Sequence, residues 1–388
     1  MNPSLRGSTA IVGVGLAGCG EATGRSEMEI SAEASWKALA DAGLKMSDID
    51  GLITASVTNF MPTLSLGEYL GVRPRFSDTN SIGGSSFVSH LITASMALNY
   101  GLCNNVLVSY GSTQRTGVGR AEQGKMKSAL DPLVYEAPYK PFNPPTSYAL
   151  ATARHMHQYG TTREQLAAVA VAARQWAQLN PEAFTRDPLT IEEVLKSRMI
   201  SDPLTVRDCC LVTDGAGAYV LTRADRAKAA PRPSAYMLGV GAAHWHRQIS
   251  SMPDLTVTAA SESGPAAFAM AGLKPGDVDV VELYDAFTIN VILFLEDLGF
   301  CKKGEGGAFV SGGNIAPGGK LPVNTNGGGL SCVHPGMYGI FTMIEAVRQL
   351  RHDAGERQVK GAEVALAHGN GGVLSSQVTA LFGTAATL

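Results

Sequence analysis

Asn80-Ser81-Ile82-Gly83-Gly84-Ser85-Ser86 runs straight into a helical pattern over Ser85–Tyr100, and the apolar run Asn105-Val106-Leu107-Val108-Ser109-Tyr110-Gly111 follows it. In the helical stretch Phe87, Leu91, Ala94, Ala97 and Leu98 fall on one stripe, the spacing that buries one face of a helix. The second run barely alternates, so it reads as a strand covered on both faces, as in a parallel sheet packed between helices. A glycine-rich turn opening a helix aims backbone N–H groups and the positive end of the helix dipole at one spot, which suits an anion or an activated nucleophile. No nucleophile stands there: residue 83 is glycine, and neither Ser85 nor Ser86 has an evident base in the segment.

Working outward, the same rhythm extends both ways. Thr9–Gly15 and Gly51–Ser56 are short apolar runs around the helical spacing of Ile30–Leu44, a βαβ pattern. Between Ser112 and Pro145 the pattern breaks into Gly, Pro, Lys and aromatic residues, including Tyr135, Tyr139 and Phe142. This marks an inserted loop region at about 112–160, of a length that lines a binding site or moves. Helical spacing returns at Ser147–Tyr159 and Thr162–Leu179, the latter opened by Thr161 or Thr162 ahead of Glu164 and Gln165, a capping-box arrangement. Val212–Leu221 reads as a strand.

After the Pro/Ala-rich link Ala227–Pro233 the rhythm restarts: strand Ala235–Gly241, helix Val257–Ala271, strand Val278–Leu283, helix Ala286–Leu298, a Gly-rich stretch Gly304–Gly329, helix Gly336–Arg351, and strands Glu363–Ala367 and Val373–Leu381. The expectation is an α/β chain of two similar halves, 1–228 and 229–388, duplicated in pattern without a literal repeat. A site would sit at their junction, where helix starts and strand ends converge.

Composition narrows the class. The 388 residues suffice for two or three domains. With 31 basic against 34 acidic residues the net charge of −3 offers no field for nucleic acid or an anionic membrane. No apolar stretch reaches the roughly 18 residues of a membrane span, and Met1-Asn2-Pro3-Ser4 does not open a signal peptide, so a soluble cytoplasmic protein is expected. The cysteines Cys19, Cys103, Cys209, Cys210, Cys301 and Cys332 show neither CxxC pairing nor the density of a secreted scaffold. They read as buried thiols, with Cys332, two residues before His334, the one that could line a site.

Four segments carry more chemistry than packing needs: Asn80–Ser86, Glu282–Phe287, Asn324–Gly339 and Ala367–Gly372. Together with Thr213–Ala218, which looks like a "DGA.A" strand start, they resemble the thiolase superfamily, and within it the sterol-carrier or lipid-transfer type. Tyr284–Phe287 sits at that family's "NEAF" or "HDCF" motif, Asn324–Pro335 at "N..GG…GHP", and His368–Gly372 at "CxG". The resemblance covers nearly the whole chain and implies a thiolase-like five-layer αβαβα fold.

It also exposes departures. Thiolases carry a nucleophilic cysteine in the segment like Asn80–Ser86 and an acid/base cysteine at the position of His368; this chain has neither. Gly83 cannot form an acyl-enzyme. His334 matches the family histidine that helps to hold a thioester oxygen, a donor worth roughly 3–4 kcal/mol to an enolate. Tyr284 and Tyr338 stand where phenols can relay protons if an N–H donor or helix start stabilises the anion. Asp285 orients Tyr284 or caps the helix beginning near Ala286, and His368 is an acid/base or binds the pantetheine end. Asn326 and Gly371 complete the supporting set.

This combination looks like the acyl-CoA aldolases that cleave steroid side chains, whose "YDAF" and "HPGMYG" strings occur here verbatim. The resemblance implies retro-aldol cleavage of a bulky β-hydroxyacyl-CoA to a ketone and propionyl-CoA or acetyl-CoA, without a covalent acyl-enzyme. It implies a homodimer bound to a small OB-fold protein whose zinc ribbon holds the zinc, no cofactor in this chain, and coenzyme A only as part of the substrate. A divergent acyltransferase and a non-catalytic acyl-CoA or lipid carrier are the rival readings.

Overall fold

A computed structural model describes residues 5–56, 58–117 and 135–388. The part of the expected insertion at 118–134 lies outside the described residues. The chain opens with β1 (Thr9–Gly20), α1 (Glu27–Ala42), β2 (Gly51–Thr54), α2 (Pro62–Leu70), β3 (Phe76–Asp78), α3 (Ser86–Asn99) and β4 (Asn105–Ser112). Helices α4 (Pro145–Tyr159) and α5 (Arg163–Gln178) and the two-stranded β5 (Met199–Ser201) and β6 (Leu204–Thr205) then lead to β7 (Asp214–Arg223). Next come β8 (Ala235–His244), α6 (Ala260–Ala271), β9 (Val280–Leu283), α7 (Thr288–Asp297), α8 (Gly339–Leu350), β10 (Val364–Gly371) and β11 (Ser376–Gly383).

The nine long-range strands run in the order β3-β2-β4-β7-β1-β8-β11-β10-β9. The expectation of a parallel sheet needs correcting. The β2–β3, β2–β4 and β9–β10 pairs are parallel, but β4–β7, β7–β1, β8–β11 and β10–β11 are antiparallel. Antiparallel strands at the centre are covered on both faces here, and burial on both faces is what removes the alternation.

The two halves repeat one plan. In the first, β1 pairs β7, β7 pairs β4, and β4 pairs β2; in the second, β8 pairs β11, β11 pairs β10, and β10 pairs β9, with matching directions. Even β3 has a counterpart in the parallel bridge from Val281 to Val323. The halves meet where Ala10 and Ile11 face Tyr236 and Ala235. Strand β1 makes room for α1 with Gly13 and Gly15, where a Cβ would lie 2.1 Å from the Ala38 carbonyl and 2.2 Å from that of Ala34. Strand β8 does the same for α6: a Cβ at Gly239 or Gly241 would lie 2.2 Å from the Ala267 or Ser263 carbonyl.

Local signals place the helices. Ser26 and Glu29 form a capping box at the start of α1 and Gly43 ends it at φ 68°; Thr162 and Gln165 form the expected box at α5. The equivalent helices α3 and α8 form the middle layer. Phe87, Leu91 and Ala94 of α3 and Ile340, Met343 and Val347 of α8 share one core with Ile11, Val106, Ala365 and Val378. A second core packs Ile30, Ala34, Ala38 and Leu39 of α1 on the far side of the first strands, through Ala10 and Val12. The order helix, strands, paired helices, strands, helix gives the five-layer αβαβα arrangement.

Candidate active site

The turn before α3 is built to leave space. Gly83 has φ 77°, a left-handed conformation strained for any residue with a side chain. A Cβ there would lie 2.6 Å from the Gly372 nitrogen and 2.8 Å from the Gly371 Cα, so the turn abuts the end of β10. At Gly84 a Cβ would lie 2.0 Å from the Tyr284 ring. Glycine at 84 is therefore what lets the Tyr284 ring lie against the entry to α3.

Sequence reasoning missed the partner of Ser85. Its Oγ donates to the Ile82 carbonyl at 3.0 Å and lies 2.7 Å from Ser376 Oγ, which lies 2.8 Å from His244 Nδ1. Ser376 is 291 residues from Ser85, and His244 is 132 residues from Ser376, beyond any local pattern. The inner end of the chain packs against Ile82 and Gly371, so it clamps the α3 entry onto β11.

Three predicted residues come together. The Tyr284, His334 and Tyr338 rings lie 5.5, 5.6 and 6.0 Å apart, with Tyr284 edge-on to both others and His334 nearly parallel to Tyr338. Tyr284 follows β9; its hydroxyl donates to the Gly336 carbonyl at 3.1 Å and accepts the Tyr338 N–H at 3.2 Å. Tyr338 is the residue that begins α8, so the Tyr284 oxygen lies at a helix start. The Tyr338 hydroxyl donates to Asn326 Oδ1 at 3.1 Å, and that oxygen also accepts the Gly328 N–H at 2.7 Å.

His334 is buried, and its Nε2 has no hydrogen-bond partner. Burial pulls its pKa down to about 4, so the ring is neutral at physiological pH. Thr213 holds its backbone on both sides: the His334 N–H donates to Thr213 Oγ1 at 2.9 Å and the Thr213 N–H to the His334 carbonyl at 3.3 Å. Tyr110 of β4 fixes the next turn, donating to the Pro335 carbonyl at 2.5 Å and accepting the Met337 N–H at 3.1 Å. Burial holds the Tyr284 and Tyr338 hydroxyls well above the ordinary phenol range. The Tyr338 N–H pulls Tyr284 the other way, whereas nearby Asp285 pushes Tyr338 further up.

Two expectations are corrected. Asp285 does not cap the helix that follows it. Its carboxyl accepts the Gly329 N–H at 2.6 Å and the Leu330 N–H at 3.2 Å, capping the wide turn Gly328–Cys332 that leads to His334; burial lifts its pKa to about 7. His368 is not with the three rings. On β10, Gly369 and Gly371 face Ser85, so strand alternation turns His368 to the opposite face. There it contacts Phe294, and both ring nitrogens are engaged, Nδ1 with Thr379 at 2.9 Å and Nε2 with Gln377 at 2.8 Å. Cys332 is buried, its thiol pushed up by burial and accepting from Asn180. Among the described residues, no group of three or more His, Cys, Asp or Glu could hold a metal ion.

The family model for a thiolase C-terminal-like domain matches residues 241–384. A steroid side-chain-cleaving aldolase from Thermomonospora curvata is 34% identical over 368 residues, covering 89% of this chain and 91% of that protein. The chain belongs to the thiolase superfamily. An acetyl-CoA acetyltransferase from Methanothermobacter thermautotrophicus is 35% identical over 96% of this chain and 98% of its own length. Among solved structures, an Ltp2-ChsH2(DUF35) aldolase superposes with a TM-score of 0.90 at 32% identity, covering 98% of both chains. Within this thiolase-like chain, no helix of the described residues is long and apolar enough to cross a membrane.

Proposed function

We propose that this chain is a carbon–carbon lyase that splits a bulky β-hydroxyacyl-CoA, of steroid side-chain type, into a ketone and propionyl-CoA or acetyl-CoA. One observation carries the reading: a buried, neutral histidine with an unpaired Nε2 stands in a triangle with two tyrosines, one of which lies against a helix start that holds glycine where an acyl acceptor would stand. With its ring proton on Nε2, His334 donates to the thioester oxygen as the enolate forms. Such a donor is worth roughly 3–4 kcal/mol in a site closed to water.

The two phenols differ in what surrounds them. An anion on Tyr284 is stabilised by the N–H at the start of α8, while an anion on Tyr338 would face Asp285. Tyr284 therefore acts as a relay: as the Cα–Cβ bond breaks it accepts the proton of the substrate β-hydroxyl and gives its own phenolic proton to Cα of the enolate, while Tyr338 stays protonated. The ketone leaves, and the short acyl-CoA is left with the new C–H bond. No covalent intermediate forms, and the chain supplies no cofactor.

The DUF35 component named with the similar aldolase supports a second protein beside this one; an OB-fold, zinc-ribbon subunit holding acyl-CoA would complete the enzyme. A homodimer is supported by exposed Phe60, Met61 and Leu64 at the start of α2. The test is to co-express the chain with such a subunit and to assay β-hydroxyacyl-CoA thioesters for ketone and short acyl-CoA. Release of both in equal amounts, with unmodified protein by intact-mass spectrometry, is expected. The likeness to an acetyltransferase favours acyl transfer instead, and an acyl adduct on the protein would overturn the lyase reading.

A further inference from the structure

Beneath the three rings lies a polar network that the lyase reading does not use. Thr325 is fully buried between Glu282 of β9 and Glu345 of α8, themselves buried. Its hydroxyl oxygen is 2.7 Å from Glu282 Oε1 and 2.8 Å from Glu345 Oε1, and it accepts from Gln349 Nε2 at 2.9 Å. A hydroxyl has one hydrogen to give. It can satisfy one of the two carboxyl oxygens, and at these distances the other contact needs a hydrogen of its own.

Arg357 decides which carboxyl supplies it. Its guanidinium grips Glu345 through both oxygens, at 2.8 and 3.0 Å, which holds Glu345 in its charged form. Glu282 Oε1 also accepts the Thr325 N–H at 3.1 Å, but no guanidinium clamps this buried carboxyl and its Oε2 has no partner, a costly state for a carboxylate. The hydrogen bonds therefore run in one direction, from Glu282 to Thr325 and from Thr325 to Glu345.

We propose that Glu282 is a positioning residue kept as a neutral acid, whose proton stays on it and is donated in a hydrogen bond to Thr325, which donates in turn to Glu345, fixing the three segments that carry Tyr284, Asn326 and Tyr338 relative to one another. Glu282 lies two residues before Tyr284. Thr325 adjoins Asn326, which receives the Tyr338 hydroxyl, and Glu345 belongs to the helix that Tyr338 begins. Asn324 adds a parallel tie, accepting the Leu283 N–H at 2.6 Å. The positioning role rests on the lyase reading; the proton does not.

The test compares Glu282→Gln and Glu282→Ala in the full chain with its partner subunit. The wild type minus Glu282→Gln infrared difference spectrum is expected to show a protonated-carboxyl stretch that moves in deuterium oxide. Glu282→Gln keeps kcat within about threefold, whereas Glu282→Ala lowers kcat by about tenfold or more with KM little changed, since only alignment is lost. In the crystal structure of Glu282→Ala, Asn326 moves away from the Tyr338 hydroxyl. Absence of the infrared band, or Glu282→Gln failing as badly as Glu282→Ala, overturns the neutral acid. An unmoved Asn326 overturns the positioning role, and inactive wild-type protein with the band present faults the lyase reading alone.

Discussion

The two middle helices occupy equivalent places in the duplicated plan, yet their entries have opposite character. The entry to α3 offers Gly83 and Gly84 and a serine locked into a clamp, so it gives room and close approach but no reactive side chain. The entry to α8 carries His334 and Tyr338, and the Tyr338 N–H donates to the Tyr284 hydroxyl. On the lyase reading, one half supplies the space and the other the chemistry. Equivalent positions in a duplicated fold are thus free to divide a job that a nucleophilic thiolase shares between both.

The sharpest way to break this comparison is to empty the active entry. Tyr284→Phe removes the proton carrier while keeping the ring, and cleavage is expected to fall by roughly 10²–10⁴-fold with circular dichroism and melting temperature near wild type. An unchanged rate would mean that Tyr284 does not carry the proton. His334→Ala should cost about 10²–10³-fold in kcat, read by steady-state assay of short acyl-CoA release.

The opposite experiment fills the bare entry. Gly84→Ala puts a methyl group into the Tyr284 ring and should destabilise by about 1–3 kcal/mol, measured by urea denaturation, with activity lost alongside. Gly83→Cys restores a thiol but must hold φ 77° against the Gly372 amide. A cost of about 1–3 kcal/mol and no acyl adduct with acyl-CoA are expected. An adduct would show that the α3 entry needs only a sulfur to act as its thiolase counterpart does.

Much of this was legible in the sequence, for identifiable reasons. The strand and helix rhythm and the duplication follow from local periodicity, and the grouping of Tyr284, His334 and Tyr338 follows from the resemblance of their motif strings to the thiolase superfamily. Strand direction was not legible, because an antiparallel strand buried on both faces has the same continuous apolar run as a parallel one. His368 was placed by its motif position, but the pleat of β10 turns it away from the residues that Gly369 and Gly371 face. Asp285 had a plausible local job at the next helix, and its real partners, Gly329 and Leu330, lie 44 and 45 residues on. The Ser85 clamp and the Thr325 network are likewise made of long-range contacts between polar residues with no periodic signature.

Proton linkage extends the comparison to stability, with the smallest expected effect. His90 on α3 and His334 and His368 in the second half are buried, and burial lowers each from an ordinary 6.5 to about 4. Between those values the unfolded chain binds protons at these positions that the native protein does not, so each histidine makes stability rise with pH and level off above about 6.5. Asp285 works in the opposite sense. Burial raises it from 3.8 to about 7, so the native protein keeps a proton that the unfolded chain has lost, and its contribution falls as pH rises across that range. Denaturation free energies measured across this window should therefore rise with pH overall. Asp285→Asn should steepen the rise by the equivalent of one proton, and His90→Gln should flatten it by one. The His90 variant tests the first half, because its ring nitrogens have no hydrogen-bond partner to hold a charge. A slope that His90→Gln leaves untouched would mean that the helix at the bare entry opens to water before the rest of the protein unfolds.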